Sequence, residues 1–147
     1  MMMKKVMVLV FLFVVSLGYS QDWKTNFDLV KKEAVSQNKP ILLVFSGSDW
    51  CAPCIKLDKS IWQSADFKAY AATNLVLERA DFPKKKQNQL DADIKKQNEG
   101  LAEMYNKDGI FPLVVVLDSN GKVLGKTSYK NVSPKEYIEL LNSFIKG

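Results

Sequence analysis

The chain has 147 residues, 47% of them hydrophobic, with two cysteines, no histidine and a formal net charge of +5. That length suits a single domain of roughly 100–200 residues, with enough apolar material for a core. The charge is too mild and scattered for a nucleic-acid footprint, which needs a clustered basic face.

Residues 1–20 read as a cleaved export signal and not as part of the fold. Lys4 and Lys5 form a basic start, residues 6–15 are an unbroken apolar run, and small Gly18 and Ser20 stand at the −3 and −1 positions of a cut before Gln21. A membrane span needs about 20 apolar residues, and residues 6–17, interrupted only by Ser16, are twelve in all. No stable membrane insertion is expected. Without the leader the chain keeps 19 basic and 16 acidic residues, a net charge of +3.

Residues 26–38 carry Phe27, Val30 and Ala34 at helical spacing and predict an amphipathic helix closed by Lys39-Pro40. Ile41-Leu42-Leu43-Val44-Phe45 is a continuous apolar run, the pattern of a strand buried on both faces. Residues 51–61 follow as a helix with Cys54, Leu57 and Ile61 on one stripe, and Ser64 caps a further piece reaching about residue 72. Residues 75–81 predict a second strand, and Phe82-Pro83 with Lys84-Lys85-Lys86 an exposed connection.

Residues 90–105 predict a helix ended by the turn residues Asn106-Lys107-Asp108-Gly109. Leu113-Val114-Val115-Val116-Leu117 is the strongest strand signal, and Asn120-Gly121 announces a hairpin to residues 123–127. Ser133-Pro134-Lys135-Glu136 is a capping box that launches a terminal helix. Strands alternating with helices, then one hairpin, imply an α/β fold: a mixed sheet of about four strands with helices on both faces, over residues 21–147.

Two cysteines two residues apart suit half a zinc site, a structural disulfide or a redox dithiol. Zinc normally takes three or four protein ligands, mostly Cys and His, and this chain offers two, so no metal is expected. A bridge closing so small a loop would be a weak staple, because the stabilisation grows with loop length. Position favours the dithiol. A strand, a short loop and the first turn of a helix place Cys51 beside unpaired backbone N–H groups and the positive end of the helix dipole, which favour the thiolate. Cys51 is therefore the expected attacking thiol and Cys54, one turn deeper and less exposed, the resolving one. Pro53 fits a first helical turn, where its missing N–H costs nothing.

"ILLVFSGSDWCAPC" at residues 41–54 and "GIFPLVVVLDSNGK" at 109–122 resemble the thioredoxin fold family, in particular its exported thioredoxin-like thiol:disulfide oxidoreductases. The resemblance covers most of residues 22–147. It implies a three-layer fold and a periplasmic or otherwise extracytoplasmic protein that exchanges disulfides with protein thiols or disulfides, through an unidentified redox partner and without a cofactor. It implies that the Phe111–Pro112 bond is cis, that Pro112 lies against the cysteine pair, and that Phe111 offers backbone groups to substrate. Trp50 matches the family's tryptophan before the first cysteine and is expected on the substrate face.

One feature departs from the family. Many thioredoxins carry a buried aspartate in the strand before the motif, whereas Leu43-Val44-Phe45 offers no acid. Asp58, four residues after Cys54 on the same helical face, is a candidate substitute for moving the Cys54 proton, but its place between Lys56 and Lys59 favours the reading of an exposed acid. Asp49 is a weaker candidate. Ala-Pro between the cysteines resembles reducing members more than strongly oxidising ones, so the expected direction is reducing or isomerising. The alternative is a binding module that keeps the fold around an inert disulfide. The segment 82–100 is longer than a minimal thioredoxin needs; it reads as a tolerated insertion or a determinant of partner choice.

Overall fold

The computed structural model describes residues 21–147. The expected leader lies outside the described residues. In chain order the elements are β1 (Trp23–Lys24), α1 (Phe27–Gln37), β2 (Ile41–Ser46), α2 (Ala52–Leu57) running into a π-helical turn (Asp58–Trp62), α3 (Ala65–Asn74), β3 (Val76–Asp81), a 3-10 turn (Lys86–Asn88), α4 (Ala92–Tyr105), β4 (Leu113–Leu117), β5 (Val123–Thr127) and α5 (Pro134–Lys146).

The strands form one mixed sheet in the order β1-β3-β2-β4-β5. β2 and β3 are parallel, as a helical crossover requires, and β4 runs antiparallel to β2, with β5 folded back on it. The sheet has five strands where about four were expected. The extra one, β1, pairs only Trp23 with Leu77 and Lys24 with Glu78, and two residues are too few to show an alternation.

Pleating splits the core into two layers. Ile41, Leu43 and Phe45 of β2, with Val76 and Ala80 of β3, point towards α1 and α4. Leu42, Val44, Leu77 and Val114 point the other way, towards α2, the π turn, α3 and α5. Both faces of β2 and β4 are buried, which explains why these strands read as unbroken apolar runs. Each such side chain removed from water contributes about 1.5–3 kcal/mol.

Helix starts follow their caps. Asn26, Ser64, Asp91 and Ser133 each accept the backbone N–H three residues on, satisfying a donor the helix leaves open. The helix read over residues 51–61 begins with Cys51 as its cap and widens at Asp58, where Gln63 N–H reaches back five residues to the Asp58 carbonyl. Gly121 turns the β4–β5 hairpin at φ 86, a conformation a β-carbon would oppose.

Candidate active site

β2 delivers the chain to Ser46, and five residues later Cys51 opens α2. Its backbone is extended (φ −95, ψ 101), its N–H donates to the Gly47 carbonyl at 2.9 Å, and its Sγ accepts the Cys54 N–H at 3.3 Å. The sulfur occupies the place that a serine or aspartate oxygen takes at other helix starts, facing open backbone donors. Cys51 and Cys54 are joined by a disulfide with Cα atoms 5.2 Å apart, so the structure is the oxidised form. Pro53 lies in the first turn of α2.

The expected difference in exposure between the two cysteines is absent. Cys51 keeps 5% of its surface and Cys54 4%. The bond draws both sulfurs into one spot, so hydrogen bonding and not accessibility distinguishes them: the Sγ of Cys51 holds a helix N–H.

Trp50, Phe111 and Pro112 gather around the pair. The Phe111–Pro112 bond is cis. Pro112 is buried and lines the same cavity as Cys54. Trp50 is 38% exposed, meets Phe111 edge-on at 5.4 Å between ring centroids, and donates its Nε1–H to the Phe82 carbonyl at 2.7 Å. Its indole lies so close to Gly47 that a β-carbon there would stand 2.3 Å from the ring. Neither backbone group of Phe111 has a hydrogen-bond partner among the described residues, whereas those of Ile110 are both held by Asn106.

Behind Cys54 a cavity of about 150 Å³ is lined by Val44, Ser46, Leu57, Asp58, Arg79 and Pro112, among others. Asp58 is half-buried there. One carboxylate oxygen accepts from the Arg79 guanidinium at 2.9 Å and the other from Gln63 Nε2. It is thus neither the freely solvated acid of one reading nor a bare base: it is an ion-paired carboxylate on the cavity that Cys54 also lines. Arg79 in turn stacks 4.5 Å from the Trp23 ring, and Trp23 meets Trp62 edge-on at 5.8 Å.

Arg79 and Trp23 escaped the sequence reading. Alternation along β3 held the signal, since Arg79 shares its face with Leu77, which packs beneath α2 and α3.

Asp49 has a different task from the one expected. Its carboxylate accepts the Lys84 N–H at 2.9 Å, the Lys85 N–H at 3.0 Å and Asn88 Nδ2 at 3.0 Å. The Lys84 amide, foremost among these donors, holds it below the usual aspartate range, as a charge-accepting clamp and not a proton carrier. Asp81 performs a similar service, accepting from Ser48 N at 2.9 Å and Ser48 Oγ at 2.5 Å. The 82–90 connection is thereby fastened to the cysteine loop.

On the opposite sheet face Glu78 is fully buried. Its Oε1 accepts from Gln97 Nε2 at 3.4 Å and its Oε2 has no partner. Burial pushes its carboxyl up to about 8, against smaller opposing effects from Gln97 and Lys24. No group of three or more His, Cys, Asp or Glu side chains able to hold a metal gathers among the described residues, nor is any helix there long and apolar enough to cross a membrane. A second cavity, of about 280 Å³ beside Lys24, Glu33, Lys39 and Leu75, contains neither cysteine.

Comparison with known proteins agrees with this geometry. A family model described as Thioredoxin-like matches residues 22–119. The disulfide bond reductase DsbH of Chlamydia pneumoniae is 36% identical over 109 residues, which cover 74% of this chain and 64% of that relative's length. A solved structure titled DsbH oxidoreductase superposes with a TM-score of 0.81 at 30% identity, covering 89% of each chain. The disulphide isomerase from Xylella fastidiosa Temecula1 shares the fold, with a TM-score of 0.55 at 24% identity over 90% of this chain and 97% of its own.

Proposed function

The chain belongs to the thioredoxin-like family, and from that premise we propose that it is a thiol:disulfide oxidoreductase acting on protein substrates through Cys51 and Cys54, in the reducing or isomerising direction. The observation that carries this reading is the bonded pair at the start of α2, with Cys51 Sγ on the Cys54 N–H and cis-Pro112 beside it. The similarity to a protein named a disulfide bond reductase supports the direction.

In the reduced form, the Cys51 thiolate attacks one sulfur of a substrate disulfide. A Cys51–substrate bond forms, the substrate S–S bond breaks, and the departing substrate sulfur takes up a proton. Cys54 then loses its proton and attacks Cys51 Sγ, which releases the second substrate thiol and leaves the Cys51–Cys54 disulfide seen here. Two electrons have passed to the substrate, and an upstream dithiol donor restores the pair. The sulfurs carry the electrons themselves, so no cofactor is invoked.

Trp50 and the backbone of Phe111 receive the substrate segment, Pro112 bounds the sulfur pocket, and Pro53 shapes the first turn of α2. Asp58, on the cavity that Cys54 lines, takes up the Cys54 proton directly or through water during resolution. The expected leader places the protein in the periplasm or an equivalent compartment outside the cytoplasm.

The test is a trap. Cys54→Ser protein is expected to accumulate disulfide-linked adducts through Cys51 that disappear on adding dithiothreitol, while Cys51→Ser forms none. Equal adduct yields from both variants, or normal turnover of Cys51→Ser, would leave the inert-disulfide binding module as the correct reading.

A further inference from the structure

The surface around the disulfide carries lysines with no ion-pair partner. Lys84, Lys85 and Lys86 project from the connection that Asp49 clamps, and Lys84 Nζ stands 4.0 Å from the centre of the Trp50 ring. Across the disulfide, Lys56 leans over Tyr129 at 5.5 Å, and with Lys59 and exposed Ile55 it lines a shallow hollow on α2 and the π turn. Among the described residues none of these five lysines belongs to an ion pair.

The acids of the same face are already engaged. Asp49 is taken up by two backbone amides and Asn88, Asp58 by Arg79 and Gln63, and Asp81 by Ser48. The turn leading to Ile110 adds one charge of each sign, Lys107 and Asp108. Between the two basic edges lie the exposed indole of Trp50 and the unpaired backbone of Phe111. The clamp adds a further element, because hydrogen bonds to the Phe82 carbonyl and to the Lys84 and Lys85 amides fasten the backbone from which these lysines project.

We propose that this face selects extended protein segments bearing acidic side chains on both sides of the reacting cysteine, with Lys84 and Lys56 as the two charge readers flanking the disulfide. The proposal rests on the exchange reading above and assigns its substrate class. Single exposed pairs are weak, so the effect comes from the summed field at the mouth of the site. It acts on encounter, and it fades with salt.

The experiment uses pre-reduced protein in single turnovers, which removes any need for an upstream donor. Three substrates are compared: uncharged bis(hydroxyethyl) disulfide, and two peptides with one internal disulfide each, identical except for glutamates or lysines flanking the cysteines. Each peptide rate is divided by that peptide's own rate with dithiothreitol, which cancels its intrinsic reactivity. The expected glutamate-to-lysine ratio is about tenfold at low salt, about 0.02 M, and falls towards one near 0.5 M. Lys56→Glu combined with Lys84→Glu inverts the ratio. A ratio near one at low salt, with both peptides reduced, overturns the docking proposal and leaves the exchange chemistry standing. Failure on all three substrates overturns the exchange reading, and the docking proposal falls with it.

Discussion

Glu78 and Arg79 are consecutive, yet the pleat of β3 sends them into opposite halves of the molecule. Arg79 joins the layer beneath α2, where it meets Asp58 at 2.9 Å and lines a cavity with Cys54. Glu78 enters the layer beneath α1 and α4, where burial is complete and one oxygen has no partner. The same two residues on a helix would point about 100° apart and not into opposite halves. Here one charge is compensated at the edge of the chemistry and the other is suppressed in the interior. Along β3, then, the guanidinium on the cysteine side is held by a partner charge, whereas the acid on the other side is kept largely neutral by burial.

The strongest test of that contrast is stability against pH. In the unfolded chain Glu78 titrates near its ordinary 4.5, and in the folded chain near about 8. Between those values the folded state holds the extra proton, so stability falls as pH rises through that window and levels off above it. Glu78→Gln removes the slope and raises stability at pH 8 by on the order of 3 kcal/mol, with little change near pH 4.5. Urea unfolding at both pH values measures it, and a slope that survives the substitution would break the comparison.

A smaller effect is expected on the cysteine side. Asp58→Asn should lower turnover near neutral pH by roughly a hundredfold, the low end for a positioned proton acceptor, with the loss recovered as alkaline pH ionises Cys54 unaided. A merely structural role would shift the melting temperature and leave the pH profile in place. Arg79→Gln is expected to move the same profile more weakly, since it reaches Cys54 only through Asp58.

The mildest expected change concerns Asp49. Asp49→Ala frees the Lys84 and Lys85 amides, so limited proteolysis within residues 82–90 should quicken several-fold while the melting temperature hardly moves. Unchanged cleavage would show that Trp50 Nε1 and Asp81 suffice to hold the connection.

Much of this architecture was legible in the residues. Apolar runs marked β2 and β4 because both their faces are covered, and Ser64 and Ser133 marked helix starts because their side chains replace missing backbone acceptors. The cis bond at Pro112 came from resemblance and not from local signal. What escaped depended on distant chain. β1 is two residues long and exists only through its pairing with β3, and Asp58 looked solvated until the fold placed Arg79 against it. The widened turn at Asp58–Trp62 left no mark, since Cys54, Leu57 and Ile61 fall on one stripe in either helical form.

The two-residue strand β1 gives the amino-terminal edge a role out of proportion to its size. An aminopeptidase that nibbled through Asp22 and Trp23 would spare nearly every core side chain and leave the thiols in place. It would also remove the indole that seats the guanidinium beside Asp58. A cut before Gln21, as the leader reading expects, would leave Trp23 as the third residue, and under the role proposed for Asp58 ragged processing would yield folded molecules with sluggish resolution.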